Sequence, residues 1–522
     1  MKPTNTFFAM AALLLAGIST IVSCTKDDEQ PAEGKTYHMT ITASKGGESA
    51  KALTVDGTTI SATWAVGETV TVYNVTKSAD LTGTLAAQSS GTSTTLKGSL
   101  TGTIEAGDEL KLKFCSPDYA MQAGTLEYIA AHCDYAEATV TVASVDGGEI
   151  TASGNAAFEN KQAIVKFTLK NTRNRAIWAS ALSVSVGGTI YAAVPTSATG
   201  ELFVALPGIS GQAVTLSAKV DDLWYNKTQA NVTFVNGQYY TVTAKLEQKG
   251  ILPGTFSVAS GSRVHFSQGN LQATYDDIWT WAFAENQYDC VGNAAGNTSV
   301  INVDPYVDIY DFSGASGTVD LFGWVGASSS WDGVNKYGIT SSTNGYGNVA
   351  NEHLKADWGT LAISNGGDAE NSGWYTCSKA DWQYLFESRS TSTRYAGATV
   401  CGKKGVILFP DAYTHPNGVT PIPNSNGGSY DSKNYNATAW AKMEAAGAVF
   451  LPAAGIRWRQ NNDDNGKVEV REVEKMAAYW SSTSSSAGQA YLLYVYDSQL
   501  RRDMGDLRCH GYSVRLVRPA AE

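Results

Sequence analysis

The sequence predicts a mainly β protein, in which two β-sandwich subdomains are followed by an α+β domain. The 522 residues include 51 glycines and are 10% aromatic but only 17% charged, a composition typical of many short strands joined by tight turns. Apolar and polar residues alternate through the first half of the chain. The second half holds most of the 13 tryptophans and long stretches without periodicity, which indicates a different architecture there.

The charge balance excludes one class of function. The formal net charge is -11, and binding to nucleic-acid phosphates requires a clustered basic face. The sequence has no such cluster, so we do not expect a nucleic-acid partner.

Residues 1–24 are typical of an export signal. Lys2 is followed by the short apolar segment 7–18 and by the residues IVSC at 21–24. This arrangement resembles a bacterial lipoprotein signal, which implies that Cys24 becomes the lipidated first residue; a plain secretory signal is the alternative. Residues 25–35 are predicted to form a solvated tether. Their acidic run resembles the surface-export signal of lipoproteins from Gram-negative gut anaerobes, which implies display on the outer membrane at the cell surface.

Residues 36–248 carry the alternating pattern of sandwich strands, clearest in YHMTITA (37–43) and ELKLKF (109–114). Three stretches, ATWAVGETVTVYN (62–74), AAFENKQAIVKFTLKN (156–171) and NGQYYTVTAKL (236–246), resemble the fimbrillin-like family of pilus lipoprotein precursors. The resemblance implies a fimbrium built from pilin partners, whose first strand is removed by a protease, commonly Arg-specific, and replaced by another subunit's strand. This chain departs from that pattern, because no arginine precedes Arg173 and only Lys45 or Lys51 could serve a trypsin-like enzyme.

Residues 249–522 lose the alternation. Only SKADWQYLFESR (378–389) has clear helical marks: Ser378 as N-cap, Asp381 three residues later, and Trp382, Leu385 and Phe386 on one face. One helix, short strands, Trp-rich loops and the ending YWSST…GYSVRLVR resemble the C-type lectin-like fold found on gut bacterial surface proteins.

Six cysteines follow Cys24, an even number that an exported protein could pair as disulfides. The pairing is not readable from the sequence, although Cys115 with Cys133 is our first choice. Because no CxxC occurs, neither zinc binding nor thioredoxin-like chemistry is predicted. The six cysteines are at positions 115, 133, 290, 377, 401 and 509.

The sequence does not favour an enzyme. Formylglycine-generating enzymes share the broad lectin-like fold but use a pair of cysteines near the C-terminus, and here Cys509 is the only cysteine after Cys401. GxSxG and HExxH are absent. The stretch NNDDNGKVEVRE (461–472) has the spacing of a calcium loop, but alternating flanks around Asn465-Gly466 favour a β-hairpin. No catalytic residue, metal or cofactor is predicted.

The candidate ligand-binding residues lie near the C-terminus. In YLLYVYDSQ (491–499) strand parity predicts that Tyr491, Leu493 and Val495 face the core and that the alternate residues face outward. The stretch 501–510 shows no regular period, and its mixture of Tyr, Arg, Asp and His is typical of an interface; a solvated loop is the alternative. The predicted binding residues are Leu492, Tyr494, Tyr496, Arg501, Arg502, Asp503, Asp506, Arg508, His510 and Tyr512.

The sequence therefore predicts a cell-surface adhesin, a pilus tip subunit that uses the C-terminal face to bind an unknown host or bacterial glycan or protein. Some lectin-like proteins are diversified by a diversity-generating retroelement, which mutates surface positions in this C-terminal stretch. The resemblance implies that residues 501–512 of this chain are one product of such mutagenesis. The alternatives are a structural pilin or anchor that binds no ligand and, with less support, an enzyme related to formylglycine-generating enzymes.

Overall fold

The computed structural model describes residues 34–520, except for 46–53, 57–58, 62, 116, 222, 277, 299–300, 305–308, 312–316, 325–356, 368–371, 423–425, 460–467, 487–488, 497–498 and 508–509. The chain is mainly β, as predicted. Two eight-stranded sheets are followed by a C-terminal region of smaller sheets, short helices and long connections. Within the described ranges, no helix has the length and apolar character that a membrane span requires.

The first sheet closes on itself. Its order is β10-β1-β11-β9-β7-β4-β5-β6, and β1 also pairs with β6. Tyr37, Met39, Ile41 and Ala43 of the first strand are buried in the core, as their alternation predicts. The elements of this part are β1 (Lys35–Lys45), β2 (Thr54–Asp56), β3 (Thr59–Ser61), β4 (Thr69–Asn74), β5 (Ala79–Ala87), β6 (Ser93–Gly102), β7 (Glu109–Phe114), β8 (Met121–Gln122), α1 (Leu126–His132), β9 (Ala136–Asp146), β10 (Glu149–Ser153) and β11 (Ala156–Asn160).

The second sheet has the order β15-β12-β18-β17-β16-β13-β14-β8 and a core of its own. Strand β8, which precedes the helix α1, pairs with β14 and links the two sheets. The remaining strands are β12 (Ala163–Asn171), β13 (Ala181–Val186), β14 (Thr189–Ala193), β15 (Glu201–Leu206), β16 (Ile209–Val220), β17 (Leu223–Phe234) and β18 (Tyr239–Gln248).

The C-terminal region is built from short strands. They are β19 (Phe256–Ala259), β20 (Ser262–Phe266), β21 (Leu271–Asp276), β22 (Ile278–Phe283), β23 (Ile301–Asp304), β24 (Ile309–Asp311), β25 (Thr318–Val319), β26 (Tyr375–Thr376), β27 (Tyr395–Val400), β28 (Lys403–Leu408), β29 (Asn434–Tyr435), β30 (Val449–Pro452), β31 (Ile456–Arg459), β32 (Val468–Arg471), β33 (Met476–Ser486), β34 (Gln489–Tyr496), β35 (Gln499–Leu507) and β36 (Leu516–Pro519). The helices are α2 (Ala295–Thr298), α3 (Lys379–Gln383), which continues as a π-helix over Tyr384–Ser388, and α4 (Ala437–Ala445), with 3₁₀ turns at Trp358–Thr360 and Tyr430–Ser432.

The predicted helix is confirmed. Ser378 and Asp381 form a reciprocal capping box at the start of α3, and Trp382, Leu385 and Phe386 are buried. The sequence prediction missed α4, whose N-cap is Asn436. This helix lacks the acidic residue of a capping box, so its start gives a weaker signal.

Two core clusters lie on opposite sides of the β33–β34–β35 sheet. The indole cluster contains Trp281, Trp324, Trp358, Trp374 and Trp480. The helix-side cluster contains the buried face of α3 together with Phe256, Phe266 and Trp224. Both faces of this sheet are therefore covered at its centre.

The C-terminal region packs directly on the second sheet. Trp224 of β17 is buried in the helix-side cluster. The Lys219 ammonium lies 2.9 Å from the Glu444 carboxylate, and the Ser183 hydroxyl donates to the carbonyl oxygen of Ala445 over 2.6 Å. The two polar contacts join β16 and β13 to α4, while Trp224 joins β17 to the helix-side cluster.

The predicted Cys115–Cys133 disulfide is wrong: both thiols are free, as are those of the other three described cysteines downstream of them. Cys115 is exposed, whereas the buried Cys133 donates to the carbonyl oxygen of Asp118 over 3.5 Å. Cys24 and Cys509 lie outside the described residues.

The two strands predicted around the calcium-like stretch are present and antiparallel, with Arg459 opposite Val468. The Asn465-Gly466 turn itself lies outside the described residues.

Candidate ligand-binding face

The predicted face begins on β34, the middle strand of its sheet. Leu493 and Val495 point into the helix-side cluster, and Leu492 points into the indole cluster. Tyr494 and Tyr496 share the side of Leu492 and lie half-buried at the margin of the indole cluster. The predicted parity is confirmed, but the prediction that Leu492 faces outward is wrong, because the indole cluster covers its side chain completely.

The stretch predicted to be irregular forms an edge strand. Residues 499–507 pair antiparallel with β34, and a bulge interrupts the register between the pairs Tyr494–Arg501 and Leu492–Met504. The bulge hides the alternation from sequence analysis, since it adds a residue to one strand. Directly paired residues share a face of the sheet, so Arg501, Met504 and Asp506 lie on the side of the two tyrosines.

Tyr494 and Tyr496 form a flat aromatic ladder. Their ring centroids are 6.3 Å apart and their planes differ by 8°, which is the spacing of next-but-one residues on a strand. The Tyr496 hydroxyl donates to the Glu472 carboxylate over 3.2 Å. Burial raises the pKa of Tyr494, which favours its neutral phenol.

A second aromatic pair borders the ladder. The imidazole of His510 stacks on the indole of Trp458, with centroids 4.2 Å apart and planes inclined by 29°. His510 Nδ1 lies 3.1 Å from the Asp506 carboxylate, which also accepts a hydrogen bond from the Tyr512 hydroxyl. Asp506 therefore fixes both rings against β35.

The Asp506 carboxylate is held in its ionised form. Partial burial opposes its ionisation, but hydrogen bonds from His510 and Tyr512 outweigh that cost and lower its pKa. The Asp506 carboxylate thus finds its hydrogen-bonding partners in the neighbouring residues His510 and Tyr512.

Gly511 permits the close approach of this segment to β31. Its amide and carbonyl groups exchange hydrogen bonds of 2.8 and 2.9 Å with Arg457. A Cβ atom at position 511 would lie 2.7 Å from the Cβ of Arg457, which is too short for any other residue without movement of the backbone.

We define the tyrosine face as the half-buried Tyr494, Tyr496, Met504, Asp506 and Trp458 and the exposed Arg501, together with the buried His510 that stacks on Trp458. Sequence reasoning missed Trp458 and Met504. The alternation in IRWR (456–459) places Trp458 on the same face as Ile456, which is buried in the indole cluster, so it does not mark Trp458 as a surface aromatic. Nothing in the sequence indicates that β31 and β35 approach one another.

The other predicted residues lie elsewhere. Arg502 points to the opposite side and pairs with Glu387 near the end of the α3 segment. Asp503 is exposed at the bulge. Tyr512 is 2% exposed and belongs to the indole cluster, so its assignment to a contact surface is wrong, although its hydroxyl positions Asp506. Arg508 lies outside the described residues.

A separate cleft of about 940 Å³ lies beside β26 and α3. Its buried carboxylate, Asp357, accepts hydrogen bonds from Gly359 and Thr376. Its ammonium, Lys379, lies 3.9 Å from the centroid of the Tyr491 ring. A third charged residue of the lining, Asp381, forms the capping box with Ser378. All three charged groups are engaged within the fold, so the cleft is a weaker candidate than the tyrosine face. Over the described ranges, no three His, Cys, Asp or Glu side chains converge in a way that could hold a metal ion.

Comparison with solved structures returns fimbrial and pilus proteins. The tip fimbrial protein Mfa3 from Porphyromonas gingivalis, with a C-terminal truncation, aligns over 40% of this chain and 95% of its own at 9% identity and a TM-score of 0.23. A fimbrial assembly protein from Parabacteroides distasonis aligns over 44% and 95% at 8% identity and 0.22. The shaft pilin spaA from Lactobacillus rhamnosus GG aligns over 42% and 100% at 11% identity and 0.20. No protein family profile and no curated sequence matches the chain. With identities and TM-scores this low, the function has to be argued from the chain's own residues.

Proposed function

We propose that this protein is a cell-surface adhesin that binds its ligand through the tyrosine face. The observation that carries the proposal is the arrangement of Tyr494, Tyr496 and Trp458, three half-buried rings supported by one core cluster and bordered by Arg501. Rings held by a packed core lose little conformational entropy on binding, and Tyr, Trp and Arg are the residues that dominate binding energy at interfaces.

The ligand class that suits this face is a surface glycan or a protein loop. Flat rings offer apolar contact area, while phenol hydroxyls and the Arg501 guanidinium offer directed hydrogen bonds. The resemblance of 249–522 to C-type lectin-like domains supports the same proposal. Diversification of 501–512 by a retroelement would vary residues 501–507 of β35, an edge strand that borders the face.

We place the protein on the outer membrane, anchored through a lipid on Cys24, or at the tip of a pilus. The signal-like residues 1–24 and the fimbrillin-like stretches within 36–248 support this location. A structural pilin or anchor without a ligand is the second candidate. A binding measurement on the tyrosine face separates the two, since a structural cap predicts no ligand.

Contacts with other pilin subunits would involve the first sheet. Strand β1 pairs with β6 along one edge and with β10 and β11 along the other. Its removal would open an apolar groove that another strand could fill. Of the two lysines suited to a trypsin-like enzyme, Lys45 is 3% exposed and so is shielded in the folded protein, while Lys51 lies outside the described residues.

The experiment that tests the adhesin proposal uses the whole chain. An isolated fragment 250–522 would lack Trp224, which belongs to the helix-side cluster, and would expose the α4 surface. The soluble Cys24→Ser protein should therefore be probed against glycan and protein arrays and compared with its Tyr494→Ala/Tyr496→Ala form. Loss of binding in the double variant supports the adhesin, and absence of any ligand for the parent protein supports the structural subunit.

A further inference from the structure

One charged cluster lies inside the first sheet, at the end of β1. Lys45 is the last residue of β1, and its side chain points inward, on the same side as Met39 and Ile41. Its ammonium nitrogen is 3.4 Å from a carboxylate oxygen of Glu68 and 3.8 Å from one of Asp134. A lysine at a core-facing strand position is rare unless it is paired.

The surroundings of this cluster are apolar and aromatic. The Lys45 nitrogen lies 3.2 Å from the ring centroid of Phe114 and 4.3 Å from that of Trp64. Lys45 is 3% exposed and Asp134 is 8% exposed. Removing an ammonium and two carboxylates from water is costly. If all three groups were ionised, the cluster would carry one uncompensated negative charge.

The three side chains are fixed in place by different parts of the chain. Glu68 directly precedes β4 and accepts a hydrogen bond of 3.0 Å from the amide of Ala65. Asp134 lies between α1 and β9 and accepts from the Gln162 amide nitrogen over 3.4 Å. Folding therefore brings an amine, a carboxyl group and a second carboxylate together in one water-poor site.

Burial favours the uncharged forms of the two groups that would react. Desolvation lowers the pKa of Lys45, against the opposing charges of Asp134 and Glu68. Desolvation raises the pKa of Asp134, against the charge of Lys45. A neutral amine facing a neutral carboxylic acid is a nucleophile facing an electrophile.

We propose that Lys45 and Asp134 condense into an intramolecular amide bond, with Glu68 as the proton carrier. The Lys45 nitrogen attacks Cγ of Asp134, so that an N–C bond forms and a C–O bond breaks. Glu68 takes a proton from the nitrogen and returns it to the departing hydroxyl, and one water molecule leaves. No atom is oxidised or reduced, and no co-reactant is needed, because proximity in the folded protein replaces activation.

The bond would tie the end of β1 to the segment before β9. A lysine acylated in this way is no substrate for a trypsin-like protease, and the first strand would stay attached even after a cut elsewhere. The subunit would then retain its own first strand, which suits a subunit that ends an assembly rather than one that extends it.

Peptide mapping tests the proposal. Full-length protein is denatured, reduced, alkylated and digested with trypsin. An amide at Lys45 blocks cleavage there, so the expected product is a branched peptide in which 36–51 is joined to 114–161, with a mass one water below the sum of the two. Separate peptides ending at Lys45 and at Lys161, with no branched species, would overturn the proposal.

Three variants control the chemistry. Lys45→Arg and Asp134→Ala should give only linear peptides. Asp134→Asn can still react by releasing ammonia, so it should give a branched peptide of the same mass as the parent. Glu68→Gln should leave the peptides linear while the protein remains folded by circular dichroism. A branched peptide that persists in Asp134→Ala would show that another residue is joined and would also overturn the assignment.

Discussion

The imidazole of His510 stacks on the indole of Trp458 at a centroid distance of 4.2 Å, and the same imidazole lies 3.1 Å from Asp506. The Asp506 carboxylate on β35 is thus linked, through His510, to the Trp458 indole on β31. Residues from two strands that are separate in sequence become one surface because Asp506 holds His510 in place.

The first prediction concerns acid stability. The pKa of Asp506 is lowered in the folded protein, so its contribution to folding is complete above the unfolded pKa, about 3.9, and is lost as the pH falls through the folded value. Asp506→Asn should lower the melting temperature near neutral pH and flatten its decline below about pH 4. Thermal unfolding as a function of pH measures this. Asp503→Asn, an exposed change on the same strand, is the control, and an equal effect in both variants would contradict the role of Asp506.

The second prediction concerns Leu492, which is fully buried in the indole cluster. Leu492→Ala should reduce the free energy of unfolding by about 2–5 kcal/mol, as cavity-forming changes do. Trp480→Ala and Leu516→Ala, at positions that are also fully buried, should act similarly. Arg501→Ala removes an exposed side chain and should change stability by about 0.5 kcal/mol or less. Denaturant unfolding compares these four variants with the parent protein, and an unchanged free energy of unfolding in Leu492→Ala would mean that this side chain is not part of the core.

Leu492 also shows what the sequence could and could not predict. Parity correctly grouped Leu492 with Tyr494 and Tyr496, because the period of a strand is fixed by its backbone. The predicted exposure of Leu492 is wrong, since its side chain is buried in a cluster with residues distant in sequence, such as Phe322 and Trp358. Local patterns do not report such long-range packing.

The same limit applies to the strand that follows. Arg501, Met504 and Asp506 have no visible period because a bulge shifts the register between them. The capping box at Ser378 was predictable, by contrast, since both of its hydrogen bonds lie within a single turn.

The third prediction concerns anchoring. Cys24→Ser should release the protein from membranes into the soluble fraction, because loss of the thioether site removes the acyl chains that hold a lipoprotein. Cell fractionation followed by immunoblotting measures the shift. Cys115→Ser, at an exposed cysteine within the folded part, should stay with the membranes. Continued membrane association of Cys24→Ser would mean that the segment is not a lipoprotein signal.

The fourth prediction concerns the first strand. Deletion of 25–45 should open the groove that Met39, Ile41 and Ala43 fill, and a synthetic peptide of residues 35–45 should bind there and raise the melting temperature. Calorimetry with this peptide, and with one whose inward residues are replaced by Asp, measures the effect. Equal binding of both peptides, or of neither, would argue against a groove that accepts a strand.

The fifth prediction concerns ligand binding by the tyrosine face. The measurement is the affinity of the whole soluble chain for a ligand identified on the arrays. Tyr494→Ala/Tyr496→Ala should weaken binding by about 1–4 kcal/mol, at a stability cost of about 1–3 kcal/mol because both rings are half-buried. Arg502→Ala, which alters the opposite face of the same sheet beside Glu387, should leave affinity unchanged. If the double variant stays folded and binds as tightly as the parent, or if Arg502→Ala weakens binding equally, the tyrosine face is not the binding site.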